Sequence, residues 1–123
     1  MQVKNRVMDT QDPIGALAIT GWIAAGVLLL IVVICIAARR GSLTLNTVIG
    51  LRVPALMRDE TSWQAGHAAA LWPAVTTLVV ALAFDLIGLA SFPAYWGAVA
   101  TLVAGLIWIV VRASRAAKLS STE

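Results

Sequence analysis

Three long apolar runs divide the chain. The first extends from Ile14 to Ala38 without a charged residue, the second from Ala68 to about Ala90, and the third from about Phe92 to Val111. A helix crosses the hydrocarbon core of a bilayer in roughly 20 residues, so each run predicts one membrane span. Asp12 and Pro13 mark the start of the first span, one as a side-chain cap and the other as a residue suited to the first helical position. Arg39, Arg40 and Gly41 stop it. Between the second and third runs, Gly88 to Ala94 leaves room only for a tight turn, which predicts an antiparallel helix hairpin. Pro73 either opens the second span or kinks a helix that has already begun at Trp63.

Composition supports this division. The chain has 123 residues, 60% of them hydrophobic and 12% charged, with a mean hydropathy of +0.90, and those values exclude an ordinary soluble domain. The formal charge of +3 does not point to nucleic acid, because the basic residues flank the apolar runs instead of gathering on one solvated face. The lipid bilayer is the expected surrounding. Lys4 and Arg6 precede the first span, whereas Arg39, Arg40, Arg52 and Arg58 follow it and Arg112, Arg115 and Lys118 follow the third. Positive charge is retained on the cytoplasmic side, so the N-terminus is expected outside and the C-terminus inside. The first run is too long for a signal-peptide core, and bulky Ile34 before Cys35 argues against a lipoprotein site. Cys35 is read as helix packing. One His and one Cys supply no metal cluster and no nucleophile with its base, so neither cofactor nor catalysis is expected.

Lipid is as apolar as leucine, and spanning helices therefore associate through small residues. Gly97, Thr101 and Gly105 recur every four residues in the third span, either as packing within one subunit or as an interface for a second copy or a larger membrane complex. Gly21, Ala25 and Gly26 are the small residues offered by the first. Asp85 is the acidic residue within an apolar run, where a carboxylate is costly and often marks an ion or proton path. Its place about one turn before the Gly88 connection also allows contact with water or headgroups. Trp22, Trp72, Trp96 and Trp108, with Tyr95, are read mostly as interfacial anchors.

The connection from Arg39 to His67 is longer than a helix hairpin needs. Asn46 leads into Ile49-Gly50-Leu51-Arg52, Val53 before Pro54 is expected to be extended, and Thr61 with Gln64 has the spacing of a capping box that starts a helix near Ser62. Trp63 and His67 then share one face, and Asp59 and Glu60 are start-of-helix charges. Interrupted apolar residues from Leu43 to Met57 suggest a segment in the cytoplasmic interface. Gly50 suits a turn, Arg52 suits a lipid phosphate or an acidic partner, and both Arg52 and Arg58 are also explained as retained positive charges. His67 is read as a hydrogen-bonded interfacial residue, with a pH-sensitive contact or a ligand as the alternatives.

In this order, Asn46, Ile49-Gly50-Leu51-Arg52, Pro54, a polar stretch to Trp63 and His67, and then an apolar helix hairpin, the chain resembles the SdpI family of small bacterial membrane proteins. The resemblance covers roughly Ile14 to Val111. It departs from the family pattern at Val53, where threonine is common, and at Leu51, where an aromatic is frequent. The resemblance implies an all-α integral membrane protein of the bacterial plasma membrane with an immunity or signalling role. It implies a protein, peptide-toxin or lipid partner bound at Asn46, Gly50, Arg52, Pro54, Trp63 and His67. The competing expectations are an accessory subunit packed through Gly97, Thr101 and Gly105, and a small oligomeric transporter built around Asp85.

Overall fold

A computed structural model describes residues 13–121, with side chains placed from 15 to 120. Lys4, Arg6 and the proposed cap Asp12 lie outside the described residues. Among the described residues three helices make up the regular structure: α1 (Pro13–Arg39), α2 (Glu60–Gly88) and α3 (Ala94–Ser121). Each is long and apolar enough to cross a membrane, and the chain is accordingly a multi-pass, all-helical membrane protein. Helix α2 packs against both neighbours, most extensively against α3.

The helices begin and end for local reasons. Gly41 takes a positive φ of 83° just past α1, a conformation open to glycine, and the Leu43 amide reaches back to the Ala37 carbonyl at 3.1 Å. Helix α2 is capped by Asp59, whose extended backbone lets its Oδ1 accept from the Ser62 amide at 2.7 Å. This corrects the expected Thr61/Gln64 box: Thr61 is already helical, and the helix starts at Glu60. Because the polar first turns are helical, Pro73 falls inside α2 and not at its beginning. The Pro73 carbonyl accepts from the Thr77 hydroxyl at 2.6 Å. Short backbone bonds from Leu89 to Trp96 close the expected tight turn into α3. Helix α3 continues past Val111, because Arg112 and Arg115 stay exposed while Ala113 and Ala117 are fully buried on the opposite face.

Burial is arranged as a membrane requires. Large apolar side chains such as Ile23, Leu30, Val79, Leu86, Val103 and Ile107 face outward, while the interior is lined chiefly by alanine and glycine with Leu28, Val32, Leu56 and Ile109. Cys35 belongs to this core. A methyl group added at Gly105 would collide with the Thr77 side chain, and one at Gly97 would collide with the Phe84 ring. The Gly97-Thr101-Gly105 stripe therefore seats α2 within the same subunit; the Thr101 hydroxyl bonds back to the Gly97 carbonyl at 2.7 Å. Gly26, in contrast, faces open space. Trp22, Trp72, Trp96 and Trp108 are outward-facing, whereas Tyr95 is buried and is not a surface anchor.

This packing yields a comparison within one protein. Gly105→Leu is expected to lower unfolding stability in detergent by about 1–3 kcal/mol through overpacking against α2, while Gly26→Leu leaves it unchanged. Equal effects of the two substitutions on a denaturant titration followed by circular dichroism would contradict the assignment of the stripe to internal packing.

Candidate functional site: a turn clamped to the start of the second helix

The connection between α1 and α2 has no helix or strand, yet its backbone is tied down at several points. Asn46 closes the first part: its Oδ1 accepts from the amides of Val48 at 2.8 Å and Ile49 at 2.7 Å, and its Nδ2 donates to the Thr44 carbonyl at 2.8 Å. Gly50 follows with φ 121°. A side chain there would be strained in conformation and would also strike the Trp63 ring.

Two ring nitrogens on α2 hold the rest. Trp63 Nε1 donates to the Leu43 carbonyl at 2.9 Å, and the Leu51 amide donates to His67 Nε2 at 3.0 Å. His67 Nδ1 lies 2.8 Å from the Trp63 carbonyl. Since Nε2 accepts, the hydrogen on this imidazole belongs on Nδ1, which donates to that carbonyl in a neutral ring. The two rings touch, with centroids 4.3 Å apart, and both residues are fully buried. The expectation that Trp63 and His67 share a face thus holds, and that face is turned into the protein.

Several further anchors carry no mark of a site in the sequence. Glu60 Oε2 accepts from the Leu45 amide at 2.9 Å. Leu56 is fully buried against Gly66, in a short turn closed by the Leu56 amide on the Val53 carbonyl at 2.9 Å. Arg58 donates through Nη2 to the Ala117 carbonyl at 3.1 Å, which links the connection to the end of α3. The available signal was the run of small residues Ser62, Gly66, Ala70 and Ala74 at four-residue spacing on α2. No sequence pattern marks the Arg58 contact.

Part of the connection remains exposed. Val48 is 77% exposed and Ile49 49%, and Arg52 beside them is exposed without a hydrogen-bond or ion-pair partner among the described residues. Pro54 is exposed as well. Of the six motif residues, Trp63 and His67 are buried and Asn46 and Gly50 shape the turn, so Arg52 is the one whose functional group is free to meet a partner.

Asp85 lies elsewhere, toward the other end of α2. It is fully buried, and both of its carboxylate oxygens lack a hydrogen-bond partner among the described residues. The expected route to water is closed because α1 and α3 cover it: a methyl group at Gly21 would sit 2.6 Å from Asp85 Oδ1 and 2.8 Å from the Tyr95 ring. Trp22 Nε1 donates to the Tyr95 hydroxyl at 3.3 Å. Among the described residues no three His, Cys, Asp or Glu side chains gather as a metal-binding group.

No protein-family model, curated protein or solved structure matches the chain.

The cap that starts α2 carries a pH dependence. The Ser62 amide, with the Arg58 charge adding to it, holds the Asp59 carboxyl below the ordinary aspartate value. A carboxyl lowered in the folded state stabilises above its unfolded value, and that stabilisation is lost as pH falls through the lowered one. Hydrogen exchange at the Ser62 amide, corrected for intrinsic rate, is expected to accelerate on acidification in the native chain and to stay level in Asp59→Asn, which keeps an acceptor that does not titrate. Parallel acid profiles for the two proteins would contradict the cap assignment.

Proposed function

We propose that this chain is a non-enzymatic membrane binding protein of the SdpI type. It resides in a bacterial plasma membrane with its N-terminus outside and its C-terminus cytoplasmic. In this reading the clamped turn at the basic end receives a protein, peptide or lipid partner. The single observation that carries the reading is the division of labour within the motif. Asn46, Gly50, Trp63 and His67 fix the turn, and the fixed turn presents Val48, Ile49 and Arg52 outward. A binding face held in advance loses less conformational freedom on association than a loop that must order first. Trp63 and His67 act here as supports and not as contact residues, which refines the expectation drawn from the motif.

The docking role for α3 has less support, since the Gly97-Thr101-Gly105 stripe is occupied by Thr77 and Phe84. A transporter reading draws on one observation, the unpartnered Asp85. It calls for several copies around an axis, since three helices alone do not enclose a polar path.

Retention of proteins, peptides and lipids by the tagged full chain in nanodiscs tests these readings together. Arg52→Ala is expected to reduce partner retention about fivefold to tenfold while insertion is unchanged, in line with loss of one charge-assisted contact. Trp63→Ala is expected to reduce it by releasing the turn, and Asp85→Asn to leave it intact. Retention indifferent to both Arg52→Ala and Trp63→Ala removes the turn from the mechanism, and a flux of ions or protons in proteoliposomes abolished by Asp85→Asn moves the assignment to transport.

A further inference from the structure

The exposed face of the turn combines features that a water-facing loop does not need. Four backbone amides along it, those of Leu45, Val48, Ile49 and Leu51, donate to Glu60, Asn46, Asn46 and His67 respectively. In water such groups have partners without any help from side chains; in the headgroup and acyl boundary an unpartnered amide is costly. Exposed along this stretch are Thr47 and the two large apolar residues Val48 and Ile49, followed by Arg52. Two exposed large apolar residues on a tied-down turn, close in sequence to an unpaired arginine, suit a loop seated in a membrane surface.

Charge at this end points the same way. Arg39, Arg40, Arg52, Arg112 and Arg115 have no ion-pair partner among the described residues. The two acidic residues nearby are engaged internally, Asp59 with the Ser62 amide and Glu60 with the Leu45 amide. Among the described residues the basic side chains at this end therefore outnumber the acidic ones. The turn also directly joins α1 and α2, two helices long and apolar enough to cross a membrane.

Resting on the reading of the turn as the binding face, we propose that its partner is an anionic phospholipid of the adjoining leaflet: Val48 and Ile49 enter the boundary between headgroups and acyl chains, and the Arg52 guanidinium binds the lipid phosphate. Guanidinium suits this role because its planar donors meet two phosphate oxygens at once. The clamp from Trp63 and His67 sets the depth of the tip by fixing it to the end of a spanning helix.

The test places a photoreactive benzophenone side chain at Ile49 of the full chain. The protein is reconstituted in nanodiscs containing phosphatidylcholine and phosphatidylglycerol in equal amounts, and adduct masses are read after illumination. The expected result is lipid adducts with phosphatidylglycerol favoured about fivefold, the ratio that one basic residue at an anionic surface supports. Arg52→Gln is expected to bring the two lipids near parity, and Arg112→Gln, which removes the same charge from α3, to leave the preference in place. Circular dichroism of each variant checks that the helices are retained. Absence of lipid adducts, adducts only to a second copy of the chain, a preference unmoved by Arg52→Gln, or one lost equally with Arg112→Gln would each overturn the proposal. Loss of partner retention in Arg52→Ala without lipid adducts at Ile49 would defeat the lipid assignment and keep the binding face; no effect in either experiment would defeat both.

Discussion

Two hydrogen bonds from α2 side chains to the preceding connection organise the basic end of this protein. Trp63 holds the Leu43 carbonyl and His67 holds the Leu51 amide, one on each side of the Asn46 turn. A net contribution of about 1 kcal/mol is typical for one such bond, but leaving a buried donor or acceptor unmade costs about 1–3 kcal/mol, so the pair is stronger as a constraint than as a source of stability. Gly50 is needed because the Trp63 ring occupies the space where its side chain would be. Leu56 in the Gly66 notch and Arg58 on the Ala117 carbonyl secure the remainder. With the first turns of α2 fixed in this way, the turn, the cap and the end of α3 become one body with the spanning helices.

The same economy of side-chain volume governs the membrane part. Small residues allow the helices to approach, and the two notches at Gly97 and Gly105 are filled by Phe84 and Thr77. At the far end, Gly21 and Gly88 make room for the Tyr95 ring, and Asp85 is enclosed beside it with no hydrogen-bond partner among the described residues. The polar content of the bundle is therefore unevenly distributed. Near the connection every polar ring atom of Trp63 and His67 is matched; around Asp85 the described residues supply no hydrogen bond.

Much of the fold was legible because lipid imposes a simple rule. Apolar runs of spanning length gave three helices, and the short Gly88 to Ala94 connection gave the hairpin. Their ends were less legible: an apolar run measures the span and not the helix. Helix α2 therefore starts before Ala68, at the Asp59 cap, and α3 runs on beyond Val111 because Ala113 and Ala117 have a surface to pack against. The site was legible by residue but not by role. Asn46, Gly50, Trp63 and His67 stood out by type and spacing, yet a linear reading does not tell an outward indole from one donating to a carbonyl twenty residues earlier. In the sequence Glu60 and Leu56 are only a helix-start charge and one apolar residue of an interrupted series, since their partners, the Leu45 amide and Gly66, carry no distinguishing chemistry. The position of Asp85 along α2 suggests nearness to water; what covers it comes from α1 and α3.

The central claim is that the turn is part of the folded bundle, and hydrogen exchange at the Leu51 amide in the reconstituted full chain tests it most directly. The account predicts strong protection in the native protein, lost in His67→Phe, which fills the same space without an acceptor. Exchange at Leu51 as fast as in an unstructured peptide, or protection unchanged by His67→Phe, would contradict it.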